Sequence, residues 1–210
     1  MNIIFDLDGT LIDSSEGILR SISMAFQLCD LVPKQPLTAK LIGPPLNQLL
    51  PVLLGSDDTE VIESLSIAFK EKYDSDGYKV VRVFDGIEPM LKLLKSQGHL
   101  VYLATNKRIA PTIKIIPYLG WESYFDEIYA LDSFSNLSSK KELITHIMDL
   151  HNMNKNETVY VGDTIADYNA SNANDITYIM ALWGYDSGDF SEALRAEKPS
   201  EVSEYINNLK

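Results

Sequence analysis

The sequence predicts a doubly wound α/β fold, in which a parallel sheet carries helices on both faces and a helical cap is inserted into the chain. The 210 residues, with 45% hydrophobic and 23% charged side chains, suffice for one main domain with a real core. Short apolar runs alternate with helical patterns, as in a sheet that is buried on both faces. The stretch between the first and second runs is several times longer than an ordinary crossover of about a dozen residues. It must therefore hold structure of its own.

The predicted strands are the runs 2–5, 100–104, 127–130, 158–161 and 177–181. In a doubly wound sheet, ligands bind beyond the carboxyl ends of the strands. The residues that directly follow each run are therefore the first candidates for a functional site.

The long insert predicts a small helical bundle. Asp13 and Glu16 have the spacing of a capping box that would begin its first helix. The apolar positions with helical spacing are Ile18, Ile22, Phe26 and Cys29, then Val61, Leu65, Ala68 and Tyr73, and finally Ile87, Leu91 and Leu94 in the helix that leads back to the sheet. Pro44 and Pro45 break the chain between the first two helices. We expect a core domain at 1–13 and 82–210 and a cap domain at 14–81.

Charge and cysteine content exclude several classes of function. The formal charge of -12 repels the phosphates of nucleic acids and anionic membrane surfaces, so neither is an expected partner. An anion site would need local lysines or a bound metal.

Cys29 is the single cysteine, and the first run lacks the features of a signal peptide, so we expect a cytoplasmic protein. Apolar runs are too short for a membrane helix, which needs roughly 20 residues.

Two acids follow the first predicted strand, in the segment 6–10 with the sequence DLDGT. Carboxylates at Asp6 and Asp8, at the mouth of a sheet, place charge where folding alone gives no reason for it. One could be a nucleophile and the other an acid/base. The alternative is a polar turn, because Asp-Gly is a common turn pair.

Polar side chains also follow two other strands. Thr105 and Asn106 come directly after the second run, where a hydroxyl and an amide could face an anion, although either could instead cap the next helix. Asp163 and Asp167 follow the fourth run. Acids at two strand ends indicate oxygen ligands for a divalent cation such as Mg²⁺, with a capped turn as the alternative.

Taken together, these segments resemble the haloacid dehalogenase-like hydrolases. The matching segments are FDLDGTL at 5–11 with Asp13 and Ser14, ATNK at 104–107, and VGDT at 161–164 with Asp167. The resemblance covers essentially the whole chain, including an insert like that family's mobile cap. Within the family, the chain is most similar to the phosphoglycolate phosphatase-like branch.

The resemblance implies a role for each residue of the motifs. Asp6 would attack phosphorus and become an aspartyl-phosphate, and Asp8 would protonate the leaving alcohol and then activate water. Thr105 would hydrogen-bond the phosphoryl group. Asp6, Asp163 and the Asp8 backbone carbonyl would hold Mg²⁺, with Asp167 supporting the site indirectly or through water.

The resemblance also implies a lysine that neutralises the phosphoryl group. The segment KKELI at 140–144 is similar to the family's loose lysine motif, which favours Lys140, with Lys141 as the nearest competitor and Lys107 as a weaker one. Asn106 and Gly43, the latter in the cap segment 41–46, are expected to bind substrate.

The sequence thus predicts a magnesium-dependent phosphatase that hydrolyses a small, phosphoglycolate-like phosphomonoester. Asp8 favours phosphoester hydrolysis, because family members that cleave carbon–halogen bonds lack the second aspartate. A phosphomutase or a pyrophosphatase could use the same intermediate. A receiver-like signalling module is the alternative from another class, but it needs neither a cap nor a proton shuttle. The expected partner is a small phosphorylated metabolite, and no sequence feature declares an oligomeric interface.

Overall fold

The computed structural model describes residues 1–185 and 193–209. The strands are β1 (Asn2–Phe5), β2 (Ile12–Asp13), β3 (Arg82–Val83), β4 (Leu100–Thr105), β5 (Glu127–Ala130), β6 (Thr158–Gly162), β7 (Thr177–Ala181) and β8 (Leu194–Ala196). The α-helices are α1 (Ser15–Leu28), α2 (Leu46–Leu54), α3 (Thr59–Ser75), α4 (Ile87–Ser96), α5 (Ile109–Tyr118), α6 (Lys140–Leu150), α7 (Ile165–Asn172) and α8 (Pro199–Asn208).

Six strands form one sheet in the order β5-β4-β1-β6-β7-β8, and every pair in it is parallel. This confirms the predicted α/β fold, and all five predicted runs are strands. The short edge strand β8 was not predicted, because its three residues include the exposed Arg195 and give no apolar run. Strand β1 lies between β4 and β6, so the carboxyl ends of these three strands meet.

The two faces of the sheet bury separate apolar clusters. Ile3 and Phe5 of β1 face the cluster formed with α4, α5 and α8. Ile4, between them in sequence, faces the opposite cluster, to which α6 and α7 contribute. This alternation follows from the two-residue period of a strand. It anchors β1 from both sides and fixes the position of the residues that follow it.

The insert packs around an apolar cluster of its own, with Phe26, Leu50 and Leu65 among its most buried members. Helix α2 was not predicted, because Pro44 and Pro45 were interpreted only as a chain break. Pro45 in fact occupies the position before the first residue of α2, where proline costs no hydrogen bond.

The segment that enters the insert and the segment that leaves it lie next to each other. Strands β2 and β3 pair antiparallel, with Ile12 opposite Val83 and Asp13 opposite Arg82. The predicted domain limits, 1–13 and 82–210 against 14–81, fall at this pairing, and the division itself stays a prediction.

The predicted capping box at Asp13 and Glu16 is wrong. Asp13 belongs to β2, and its Oδ1 accepts hydrogen bonds from the backbone N–H and the hydroxyl of Ser15 at 3.1 and 2.6 Å. Ser14 is the residue that precedes α1, and its side chain makes no capping hydrogen bond. Among the described helices, none is long and apolar enough to cross a membrane.

Candidate active site

The loops after β1, β4 and β6 bring the predicted polar residues together at one edge of the sheet. Asp6 and Asp8 follow β1, Thr105 ends β4 and Asp163 follows β6. Lys140 is the first residue of α6 and reaches the same place. All five are buried, although burying charge without partners is costly. The contacts of each therefore decide what the site can do.

Asp6 has one oxygen paired and one free. Its Oδ2 lies 3.1 Å from the Lys140 Nζ, whereas its Oδ1 is buried and has no hydrogen-bond partner among the described residues. Burial raises the pKa of Asp6 to about 6, opposed by Lys140 and reinforced by Asp167 and Asp8. At pH 7 the carboxylate is mostly ionised. The free, ionised oxygen is suited to attack an electrophile or to bind a cation.

Asp163 completes a buried carboxylate cluster. Oxygens of Asp6, Asp163 and Asp167 lie within 4.8 Å of one another. The pKa of Asp163 is raised to about 8 by burial and then by the charges of Asp167 and Asp6. Its oxygens accept hydrogen bonds from the Thr10 hydroxyl at 3.0 Å and from the Tyr185 backbone N–H at 2.8 Å. This cluster could hold a metal ion, since carboxylate oxygens are the ligands that hard divalent cations prefer.

Asp167 is occupied by protein donors. Its Oδ1 accepts from Lys140 Nζ at 2.6 Å and from the Tyr160 hydroxyl at 3.2 Å. Its Oδ2 accepts from the Thr164 backbone N–H at 3.0 Å and from the Thr164 hydroxyl at 2.7 Å. The Asp167 backbone N–H in turn donates to Thr164 Oγ1 at 3.3 Å, which completes the capping box of α7. Asp167 therefore orients Lys140 towards Asp6.

The carboxylates of the site outnumber the ammonium groups that face them among the described residues. Among the described residues, the four buried carboxylates are Asp6, Asp8, Asp163 and Asp167, and the two ammonium groups that face them with buried side chains are Lys107 and Lys140. With every group ionised, this set carries two excess negative charges. A divalent cation would neutralise them.

The backbone wraps closely around Asp163. A Cβ on Gly9 would lie 2.2 Å from Asp163 Oδ2, and a Cβ on Gly184 would lie 2.2 Å from Asp163 Cβ. Gly9 also has a φ of 86°, which favours glycine. The two glycines thus leave the room that the Asp163 carboxylate needs.

Asp8 makes contacts that differ from those of Asp6. The Ser14 hydroxyl donates to Asp8 Oδ1 at 2.5 Å, and Lys107 Nζ donates to Oδ1 and Oδ2 at 3.0 and 3.1 Å. Burial alone would lower the pKa of Lys107, but Asp8 and Tyr73 outweigh it and raise that pKa. The Asp8 side chain is outside the cluster of Asp6, Asp163 and Asp167. Its backbone carbonyl as a metal ligand stays a prediction.

Thr105 has a hydroxyl proton to offer. Its Oγ1 accepts from the Lys107 backbone N–H at 3.1 Å, and none of the described residues accepts from it. Helix α5 begins after Arg108, so Thr105 does not cap that helix. Its hydroxyl can therefore donate to an anion that lies against β4.

Asn106 and Gly43 contact each other. The Asn106 Nδ2 donates to the Gly43 carbonyl at 2.9 Å, which ties the cap loop to the core. The Asn106 Oδ1 is buried without a partner in the described part of the chain. Their roles as substrate-binding residues stay predictions.

Of the three candidate lysines, two reach the site, and they pair with different acids. Lys140 contacts Asp6 and Asp167, Lys107 contacts Asp8, and Lys141 is exposed. The sequence reasoning treated Lys107 only as a weak alternative to Lys140 and missed its ion pair with Asp8. The signal was available, because Lys107 follows the end of β4 by two residues.

Other contributors were also missed. Tyr185, four residues after β7, accepts from the Ser14 backbone N–H at 2.9 Å and donates its hydroxyl to Asp13 at 3.1 Å. Its place beyond the carboxyl end of a strand was the available signal. Phe69 and Tyr73 of α3 line the chamber that contains Asp6 and Asp8, but helical spacing marks them only as apolar.

Proteins of known sequence support a common ancestry along nearly the whole chain. The chain is 34% identical over 202 residues to the 5'-nucleotidase of Pseudomonas aeruginosa, covering 95% of this chain and 89% of that protein. It is 31% identical over 190 residues to the tyrosine-protein kinase PtkA of Mycobacterium tuberculosis, covering 90% of this chain but 64% of the kinase. It is 29% identical over 189 residues to the phosphoglycolate phosphatase of Xylella fastidiosa, covering 88% and 81%.

The fold agrees with these relatives. A crystal structure of a predicted phosphatase from Clostridium acetobutylicum superimposes with a TM-score of 0.86 at 27% identity and covers 99% of this chain and 98% of that one. Fold and carboxylate site together define a hydrolase with a doubly wound parallel sheet. Residues 3–181 match the family described as haloacid dehalogenase-like hydrolase. The chain belongs to this family, which confirms the resemblance seen in its motifs and the expectation of a phosphatase-type hydrolase.

Proposed function

We propose that this chain is a magnesium-dependent phosphatase that hydrolyses a small phosphomonoester through an aspartyl-phosphate on Asp6. The observation that carries the proposal is the unpartnered Asp6 Oδ1, buried beside the Lys140 ammonium. A buried carboxylate oxygen without a donor has no structural role that explains it. An attacking nucleophile must be free in this way.

In the first half of the reaction, an oxygen of the Asp6 carboxylate attacks phosphorus, and the bond from phosphorus to the ester oxygen breaks. Asp8 gives a proton to the departing oxygen, which leaves as an alcohol. Two acids are needed because a carboxylate that is bonded to phosphorus cannot also transfer the proton.

In the second half, water attacks the phosphorus of the aspartyl-phosphate. Asp8 takes a proton from that water, and the bond between phosphorus and Asp6 breaks to release phosphate and the free carboxylate. Lys140 and the Thr105 hydroxyl bind the phosphoryl oxygens throughout, because phosphoryl transfer depends mainly on positioning and charge stabilisation.

Asp6 and Asp163 would hold the Mg²⁺. The donor set fits, because it offers carboxylate oxygens in a site with excess negative charge. When bound, the ion would supply positive charge that lets an anionic phosphate approach these acids.

The proposed partner is a small phosphorylated metabolite. The names of two relatives, 5'-nucleotidase and phosphoglycolate phosphatase, suggest which phosphomonoesters to assay first. The single cysteine favours a cytoplasmic location, where thiols stay reduced.

The test is phosphate release from a panel of phosphomonoesters by the wild type and by Asp6→Asn, each with Mg²⁺ and with excess chelator. We expect turnover that requires Mg²⁺ and is lost in Asp6→Asn, with an unchanged fold by circular dichroism. Asp57→Asn is the matched control, because Asp57 is exposed in the loop between α2 and α3. Turnover retained in Asp6→Asn would overturn the mechanism.

The products separate the alternatives. An isomerised sugar phosphate without free phosphate would indicate a phosphomutase, and hydrolysis of inorganic pyrophosphate alone would indicate a pyrophosphatase. A stable phosphoenzyme with negligible turnover would indicate a phospho-accepting signalling module.

A further inference from the structure

The chamber above Asp6 and Asp8 is lined largely by apolar side chains of the cap and core. They include Ile18, Leu46, Leu49, Phe69, Tyr73 and Pro111. Phe69 and Tyr73 are stacked, with ring centroids 5.4 Å apart and planes 8° from parallel. The reacting group lies at the two carboxylates, so a leaving group that extends from them into this chamber lies among these side chains.

Two cations also line this chamber, Lys107 and Arg108, and both are already neutralised. Lys107 is paired with both oxygens of Asp8, and it lies 4.6 Å above the Tyr73 ring. The Arg108 guanidinium binds the Asp74 carboxylate with two nitrogens, one of them 3.0 Å from Oδ2. Such paired, planar contacts are among the strongest that arginine makes.

We infer that the chamber selects an uncharged, apolar leaving group and rejects one that carries a carboxylate. This inference rests on the proposed phosphatase activity and names the class of substrate at that same site. A second negative charge on the substrate would be desolvated among apolar side chains, with no free cation to meet it among the described residues that line the chamber. Burying an unpaired charge costs far more than burying a methyl group gains.

Besides the Thr105 hydroxyl, which we assign to the phosphoryl group, one more donor of the chamber could favour a charged substrate. The Tyr73 hydroxyl is buried and has no hydrogen-bond partner among the described residues. It could donate a single hydrogen bond to a carboxylate. One neutral donor replaces only part of the hydration that a carboxylate loses, so the apolar leaving group is still preferred.

A pair of substrates of nearly equal shape tests the inference. Isobutyl phosphate has two methyl groups where phosphoglycolate has two carboxylate oxygens. Glycolate is the better leaving group, so chemical reactivity alone would favour phosphoglycolate. We expect the wild type to hydrolyse isobutyl phosphate with a kcat/KM about tenfold or more above that for phosphoglycolate.

Two variants show whether the Arg108 pairing is the cause. Asp74→Asn frees the guanidinium towards the chamber, so we expect the ratio of the two kcat/KM values to move about fivefold or more towards phosphoglycolate. Asp76→Asn is the matched control two residues along, directly after the end of α3, because Asp76 pairs with the exposed Lys79 instead. Any loosening of the cap in Asp74→Asn would change kcat/KM for both substrates alike. The ratio of the two kcat/KM values therefore reports the effect of the charge on the leaving group.

The outcomes distinguish this inference from the proposed function. Phosphoglycolate hydrolysed as well as or better than isobutyl phosphate by the wild type would overturn the inference and leave the phosphatase standing. An unchanged ratio in Asp74→Asn would also overturn it. No hydrolysis of either substrate, together with no phosphate release from any member of the wider panel, would overturn both.

Discussion

Lys140 lies between two buried acids, 3.1 Å from an oxygen of Asp6 and 2.6 Å from an oxygen of Asp167. Both acids raise the pKa of Lys140 above its ordinary value despite its burial, so it is a permanent positive charge. A cation at the first position of a helix opposes the helix dipole. The two carboxylates offset that cost and hold the ammonium beside the nucleophile.

Replacement of Lys140 should therefore lower the turnover rate strongly. We expect Lys140→Met to lower kcat by about 10²-fold or more, the scale of losing one charge-stabilising donor. Lys141→Met should change kcat by less than about twofold, because an exposed lysine is worth little. The two variants are compared by steady-state kinetics on one substrate. Thermal unfolding checks that both are folded. Equal, mild losses would show that Lys140 does not bind the phosphoryl group.

At the scale of elements, the packing of α1 against the turn at residues 77–79 leaves no room for a side chain. A Cβ on Gly17 would lie 2.3 Å from the Gly77 carbonyl oxygen and 2.9 Å from that of Val80. Gly17 is inside α1, where glycine is ordinarily worth about 1 kcal/mol less than alanine. Here the close approach of two backbone segments outweighs that propensity.

Gly17→Ala should for this reason lower stability, although replacing glycine by alanine inside a helix usually raises it. We expect a loss of about 1–3 kcal/mol in the free energy of unfolding, as for other overpacked sites, measured by urea denaturation. Gln27→Ala, at an exposed position of the same helix, is the control and should leave stability unchanged or slightly higher. An increase in Gly17→Ala would mean that the cap packs differently.

The sequence predicted the elements with strong local patterns and missed those that depend on tertiary pairing. The apolar runs of β1, β4 and β6 were recognisable, and so were the acids that follow β1 and β6. Strand β8 has too few residues to form a pattern and exists because it pairs with β7. The Lys107–Asp8 and Arg108–Asp74 pairs join residues far apart in the chain. The position of Lys107 just after β4 indicates that it lies near the site, but no spacing rule identifies Asp8 or Asp74 as the partner of either cation.

At the scale of the whole molecule, the chain is strongly negative, and so is the site where we propose that an anionic substrate binds. The chain carries a formal charge of -12, and in the described part of the chain the four buried acids of the site outnumber the two lysines that pair with them. Such a field opposes the approach of an anionic substrate. A divalent cation in the carboxylate cluster would reduce this repulsion and also stabilise the folded chain, since it binds the native state alone.

Mg²⁺ should accordingly raise the thermal stability of the wild type, and Asp163→Asn should abolish the rise. At a concentration 100 times the dissociation constant, the gain is about 2.7 kcal/mol. Without metal, Asp163→Asn should be at least as stable as the wild type at pH 7, because burial raises the pKa of this carboxyl group to about 8 and its ionised form is costly to bury. The asparagine can keep both contacts of Asp163, accepting from the Tyr185 N–H and donating to the Thr10 hydroxyl, which can also act as an acceptor.

Thermal unfolding over a series of Mg²⁺ concentrations measures both effects, with Asp57→Asn as the control that should respond like the wild type. Replacement of a buried, hydrogen-bonded residue usually lowers stability. We expect Asp163→Asn instead to lose function while the metal-free protein keeps equal or greater stability. That combination separates a ligand-binding carboxylate from a structural one, whose removal would lower stability with and without Mg²⁺. A rise in Tm with Mg²⁺ that persists in Asp163→Asn would place the cation elsewhere and remove Asp163 from the proposed ligands.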